Sequence, residues 1–243
     1  MIEAAEYVRL AEGSEILKFP VELYTEMLVL GAEARSEVDG LPAPRCQYHK
    51  IEELKHIPRM DEHEQIQSVI ECLRSIQGRN IMLKIQPPYS LLASVSDLSQ
   101  FLRWLVKNED EIRCALEGIL LGLTDYVKKA LQCGVGIVSL VDPFGLVGVL
   151  GEDKYRAFAG EYTARLLWNL TDCLDSSLIH VCPRCSRLLE DFRFLRSERI
   201  ECAPGSYINM LLALSKERSV RFVGHQCINK ETTDHVYILS QDL

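Results

Sequence analysis

The sequence predicts an α/β protein in which helices cover a mostly parallel sheet. Three observations carry that expectation. From residue 61 to the end, helix-like and strand-like stretches alternate. The strand-like runs, such as Ile81-Met82-Leu83-Lys84-Ile85 and Ile137-Val138-Ser139-Leu140-Val141, are almost continuously apolar. An uninterrupted apolar run belongs to a strand buried on both faces, the situation of parallel strands under helices. Finally, 243 residues of which 47% are hydrophobic can bury a full core. Two architectures satisfy this pattern: a doubly wound open sheet, and a (β/α) barrel short of its eight strands.

Each element has its own signal. Residues 3–12 and 21–34 carry apolar residues at helical spacing, Val21, Leu23, Tyr24, Met27, Leu28 and Leu30 in the second, with Gly31 loosening its end. Gly40, Pro42, Pro44 and Pro58 make 38–60 an irregular connection with a short helix near Ile51. Asp61 with Glu64 reads as a capping box opening a helix to Gln77, where Gly78 stops it. Gln86-Pro87-Pro88-Tyr89 ends the strand at 81–85 as a turn, and helices follow at 97–107 and 110–132. After the strand at 137–141 come a long helix over 152–173 and the apolar run Leu178-Ile179-His180-Val181. The remainder reads as helix 184–195, strand 198–202, helix 205–216 and strands 219–224 and 235–240. Residues 1–60 are expected to pack as a helical and irregular segment on a barrel-type domain over 61–243.

Composition excludes several functions. A net charge of −8 and an isoelectric point near 5.3 argue against a nucleic-acid binder, whose affinity comes from clustered Lys and Arg. Nine cysteines, an odd number, and the acidic start Met1-Ile2-Glu3-Ala4-Ala5-Glu6 fit a reduced cytoplasm better than a disulfide scaffold. The apolar stretch from Gly134 to Gly151 is broken by Asp142-Pro143, so no membrane span is expected. No glycine-rich phosphate fingerprint follows any strand.

Several strands end in polar or metal-capable residues: Asp142, His180 with Cys182, Cys202, and His225 with Cys227. In parallel α/β folds the carboxyl ends of the strands face the site, so these residues should converge. His180 and Cys182 stand two apart, a spacing that turns both to one side of a strand. With Cys227 they would make a His/Cys/Cys zinc site keeping one position open, and Asp142 or Cys185 could complete it. A buried histidine satisfied by the core is the plainer account of His180 alone, and Cys46, Cys72, Cys114, Cys133 and Cys173 need only core or helix explanations. Cys182-Pro183-Arg184-Cys185 is also a CxxC at a strand-to-helix junction, the place of a thioredoxin-like redox motif, although no other thioredoxin feature is visible. The acidic Glu109-Asp110-Glu111 suits a helix N-terminus.

Several segments together resemble the uroporphyrinogen decarboxylase superfamily. Gly134 to Pro143 is similar to its strand ending in Asp-Pro, Gln86 to Ala93 to its proline turn, Phe222-Val223-Gly224-His225 to a late strand, and Leu146 to Leu167 to a helix. The resemblance covers about residues 21–243. His180-Val181-Cys182 resembles the His-X-Cys of the methyltransferase branch, where these side chains and a distant cysteine hold zinc. The resemblance implies an incomplete (β/α) TIM-type barrel, zinc at His180, Cys182 and Cys227, and methyl transfer between a corrinoid cofactor and a thiol such as coenzyme M. A corrinoid protein and a small thiol are then the expected partners, with Asp142 catalytic. The branch's third cysteine lies after the last strand, where this sequence ends, so Cys227 would substitute for it. The arginine-rich segment and catalytic aspartate of true decarboxylases are not recognisable, and porphyrinogen decarboxylation is not expected. The alternative within the superfamily is a non-catalytic accessory protein that binds a corrinoid protein or a tetrapyrrole. Exposed sheet edges are a liability, so a helix or a second subunit of a homodimer is expected to cover the gap in the barrel.

Overall fold

A computed structural model describes residues 1–21, 24–36, 42–76 and 80–242. Its strands are β1 (Leu17–Phe19), β2 (Glu33–Ser36), β3 (Pro42–Arg45), β4 (Ile81–Ile85), β5 (Ile137–Leu140), β6 (Leu178–Val181), β7 (Leu195–Ser206), β8 (Phe222–Gly224) and β9 (Thr232–Gln241). Seven of them form one sheet in the order β1-β4-β5-β6-β8-β9-β7, while β2 and β3 pair as a separate antiparallel ribbon. From β1 to β8 every pairing is parallel and the order never reverses. A doubly wound sheet reverses at its switch point, so this is the strand order of a barrel. The sheet stays open, with β1 and β7 at its edges, and the architecture is a partial (β/α) barrel.

The end of the chain departs from the alternating pattern. β9 runs antiparallel to β8, and β7 antiparallel to β9. The reason is in the connection: residues 225–231 alone join β8 to β9, and a parallel crossover needs roughly a dozen residues or more. The N-terminal segment also does more than pack against the barrel, because β1 pairs with β4 and extends the sheet.

Two cores lie on the two faces. Leu83, Ile85, Val138, Leu140, Ile179 and Val181 pack against helices Glu64–Ser75, Pro88–Val95, Glu109–Gln132 and Glu161–Leu170. Alternate residues point the other way: Met82, Ile137, Leu178 and Val223 meet Tyr207 and Leu211 of helix Tyr207–Leu214 and Val236 of β9. That helix fills the concave face which a complete barrel would line with strands.

Several element boundaries differ from the sequence reading for local reasons. The helix expected over 21–34 is confined to Thr25–Val29, after which Gly31 takes φ +98° and the chain enters β2; residues 22 and 23 lie outside the described residues. Asp61 does not cap a helix: Met60–Glu62 is a 3-10 turn, and helix Glu64–Ser75 starts from His63, whose side chain accepts from the Gln65 N–H. The expected stop at Gly78 lies outside the described residues. Pro88–Val95 is a helix rather than a turn. Proline suits its first turn, and all eight residues are buried, so no amphipathic period marks it. The long helix after residue 152 contains a π turn at Tyr155–Gly160. At Gly160 a Cβ would sit 2.5 Å from the Phe194 ring, so a larger residue would collide there. Among the described residues no helix is long and apolar enough to cross a membrane.

Candidate functional site

The parallel strands bring the carboxyl ends of β4, β5, β6 and β8 to one rim. The rim side chains divide into three neighbourhoods.

The first is built around Asp142, which follows β5 and is buried. Its Oδ1 accepts hydrogen bonds from the Ser90 hydroxyl and, at 2.8 Å, from the Gly145 N–H. Ser90 Oγ in turn accepts from the Phe144 N–H at 3.1 Å. Gly145 is required here, because a Cβ would lie 2.1 Å from Asp142 Oδ2. Arg184 donates to the Asp142 carbonyl at 2.5 Å and to that of Pro143 at 3.3 Å, pinning the loop after β5 to the helix that follows β6. That helix, Pro183–Asp191, has Cys182 at its N-cap and Pro183 in its first turn. Cys185, also in the first turn, is buried, whereas Cys182 is partly exposed. Cys182 and Asp142 are the neighbours that act on the buried Cys185 thiol. The bond from Cys185, reinforced by backbone N–H groups of Asp142 and Cys185, lowers the Cys182 pKa to about 7 against the effect of burial. Cys185 is pushed well above the usual thiol range by the same bond, by burial and by Asp142. The two sulfurs therefore differ in kind: Cys182 ionises near neutrality and Cys185 holds its proton.

The second neighbourhood surrounds His180 on the concave face. Its Nε2 lies 2.9 Å from the Gln226 carbonyl and its Nδ1 3.2 Å from Ser139 Oγ. A carbonyl only accepts, which assigns the proton to Nε2 and leaves Nδ1 to accept from the serine hydroxyl. Burial drives the His180 pKa down to about 4, so the ring is neutral, and Tyr207 meets it edge-on at 6.0 Å.

The third joins β8 to the cysteine-bearing helix. His225, at φ +63°, donates its backbone N–H to Ser186 Oγ at 2.8 Å, and its Nδ1 lies 3.0 Å from the same oxygen. Its Nε2 is 2.9 Å from Glu190 Oε2. This Ser-His-Glu line has the outline of a nucleophile relay. Ser186, however, is completely buried and its hydroxyl is engaged with the Cys182 and Pro183 carbonyls at 3.1 and 3.2 Å. The line is a structural tie. Gly224 allows it, since a Cβ there would come within 2.7 Å of Ser186 Cβ and of Leu239.

The residues expected to bind zinc are thus distributed, not gathered. Cys182 turns to Cys185, His180 uses both ring nitrogens on Ser139 and Gln226, and Cys227 is exposed beyond Gln226. Among the described residues, Glu201, Asp234 and His235 form the one group of three potential ligands within 4.8 Å of one another, and they lie on β7 and β9. A histidine ligand needs a free lone pair, and His180 offers none as arranged. The set His180, Cys182 and Cys227 therefore does not fit a zinc ion in this arrangement. Asp142 does join Cys182, but through Cys185, which the spacing had left as a bystander or spare ligand. Ser90, Ser139 and Ser186 carried no sequence signal, because a serine on a helix or strand looks the same whether or not it holds a functional side chain.

Residues 5–202 match the family model described as uroporphyrinogen decarboxylase (URO-D). A curated relative, the methylcobamide:CoM methyltransferase MtaA of Methanosarcina barkeri, is 18% identical over 135 residues, 54% of this chain and 39% of that protein. A solved structure, a methyltransferase from Methanosarcina mazei, superposes with a TM-score of 0.57 at 17% identity, covering 73% of this chain and 54% of the other. The chain thus spans 39% of the curated relative and 54% of the solved structure. The structural likeness shows the shared fold, and the match over most of the chain shows the family. The chain belongs to the uroporphyrinogen decarboxylase (URO-D) family.

Proposed function

We propose that this chain is a methyltransferase of its family, moving a methyl group between a corrinoid carried by a partner protein and a small thiol. The observation that carries the reading is the Cys182 rim, where a sulfur at the N-terminus of helix Pro183–Asp191 ionises near pH 7. A helix N-terminus favours negative charge, and a thiolate rather than a thiol is the competent nucleophile. The groups that stabilise charge on Cys182 would stabilise a substrate thiolate beside it in the same way. A methylcorrinoid, when bound, supplies the electrophilic methyl group. Asp142, held by Ser90 and Gly145, keeps the rim in register with the helix. The names of the two similar methyltransferases favour this chemistry over decarboxylation. Zinc binding through His180, Cys182 and Cys227 would require His180 Nδ1 to give up the Ser139 hydroxyl, while its Nε2 proton could stay on the Gln226 carbonyl.

A second reading, a non-catalytic accessory protein that binds a corrinoid protein or tetrapyrrole, draws on one observation. Tyr207 and Leu211 fill the concave face, which leaves the rim as the surface for a large ligand. Assays of methyl transfer from methylcobalamin to coenzyme M, with metal analysis of the purified protein, separate the two. Turnover lost in Cys182→Ser supports the enzyme, whereas an intact fold that binds a corrinoid protein without turnover supports the accessory role.

A further inference from the structure

A cleft that shares no residue with the rim lies beside helix Glu109–Gln132. The 3-10 turn Ile51–His56 and the residues after it pack along the first half of that helix and leave a cavity of about 410 Å³ between them. Ile51, Leu54 and Ile57 wall it on one side, Ala115 and Gly118 on the other. Ligand pockets span roughly 300–1,000 Å³ and combine apolar walls with a few polar groups, so this one suits a small molecule. Two glycines of the helix separate packing from open space. At Gly122 a Cβ would come within 2.9 Å of Met60 Cβ, and the close approach of the two segments requires glycine. At Gly118 a Cβ would meet nothing within 4 Å. Glycine is less stable than alanine in a helix interior, and no protein neighbour accounts for it at 118.

Opposite charges flank the apolar walls. Lys55 stands on one side of the cleft, and Asp110, in the first turn of the helix, on the other. The charged groups next to them are engaged: Arg59 pairs with Glu62 at 3.2 Å, and Glu111 accepts from the Asn108 amide at 3.5 Å. Among the described residues, Lys55 and Asp110 pair neither with each other nor with another side chain. The helix dipole accounts for an acid at Asp110, but not for an unpaired lysine across an apolar cleft from it. A free cation and a free anion on opposite sides of one apolar cleft are complementary to a zwitterion with an apolar body. We propose that the cleft binds a free α-amino acid with an apolar side chain. Lys55 takes the carboxylate, Asp110 takes the ammonium, and the side chain fills the space above Gly118 against Leu54 and Ile57. Binding there is independent of methyl transfer, because no rim residue takes part.

The test titrates the reduced full chain with L-leucine and L-phenylalanine, read by saturation-transfer NMR and calorimetry. At least one of the two should bind, with saturation reaching its side-chain protons. Isocaproate, which is leucine without its amine, and isopentylamine, which lacks the carboxylate, should bind more weakly than leucine. Lys55→Gln and Asp110→Asn should each weaken binding by roughly three- to tenfold, the scale of one charge-assisted contact near the surface. Gly118→Leu should abolish binding with the fold retained by circular dichroism. Gly118→Ala separates the site from a structural role: it should unfold at higher urea than the wild type and still bind more weakly, and it serves alone if Gly118→Leu does not fold. Absence of saturation transfer to both amino acids at millimolar concentration would overturn the proposal. So would undiminished binding in the glycine variants, or isocaproate or isopentylamine binding as tightly as leucine.

Discussion

His180 and Glu26 are both buried ionisable side chains, and they pull stability in opposite directions with pH. Burial lowers His180 from 6.5 to about 4 and raises Glu26, whose carboxylate oxygens have no hydrogen-bond partner, from 4.5 to about 7. For His180 the unfolded chain takes up a proton first, so stability is complete above pH 6.5 and is lost as pH falls toward 4. For Glu26 the folded state holds its proton longer, so stability is complete below pH 4.5 and is lost as pH rises toward 7. Each effect is on the order of 3 kcal/mol, and the two oppose each other across the same window. The wild-type profile should therefore be shallow, and Glu26→Gln should unmask a rise in unfolding free energy between pH 4.5 and 6.5 in urea titrations. A flat profile in that variant would contradict the assignment. At Cys182, the rate of alkylation should inflect near pH 7. Cys182→Ser should abolish that phase, and Cys185→Ala should move the inflection upward, because the hydrogen bond from Cys185 is the largest cause of the shift. The sequence made Cys182 legible as a reactive position. It did not reveal that its partner is Cys185 rather than His180, because spacing along a strand says nothing of which way a thiol turns once it caps a helix.

Helix Pro183–Asp191 gathers the rim: Arg184 grips the loop after β5, Cys185 meets Asp142, and Ser186 anchors the β8 end through His225. Two glycines permit those contacts. Gly145→Ala would drive a methyl into the Asp142 carboxylate, and Gly224→Ala would wedge β8 away from Ser186 and Leu239. Each should cost roughly 1–3 kcal/mol in thermal or denaturant unfolding, the usual scale of overpacking. Helices with one apolar face, such as Leu98–Lys107 and Glu109–Gln132, were readable from periodicity. The wholly buried Pro88–Val95 was not, and neither was β1, whose three residues are too few to show a period.

The molecule as a whole is an arc of parallel strands completed by an antiparallel pair and a helix in its hollow. The alternation of helix and strand made the class legible, but it could not separate a barrel from a doubly wound sheet, because strand order is set by packing between distant segments. The edge strand β7 carries Arg196, Glu198, Arg199 and Glu201, and charges of both signs discourage pairing with another sheet. The inner core rests on helix Tyr207–Leu214, so Leu211→Ala should destabilise the chain by about 2–5 kcal/mol, measured by urea unfolding. A loss well below 1 kcal/mol would mean that this helix does not hold the hollow closed. A set of strand ends bearing Asp142, Cys182 and His180 was legible in the sequence, and the family resemblance suggested a chemistry for it. What stayed hidden was the grouping, since Asp142 meets Cys185 only through the packing of one helix across two strand ends. The most direct test of the central claim is the rate of methyl transfer from methylcobalamin to coenzyme M by reduced protein, measured beside folded Cys182→Ser. The account predicts catalysed transfer that falls to the uncatalysed rate in the variant. Transfer no faster than the uncatalysed reaction in the wild type, or unchanged in Cys182→Ser, would contradict it.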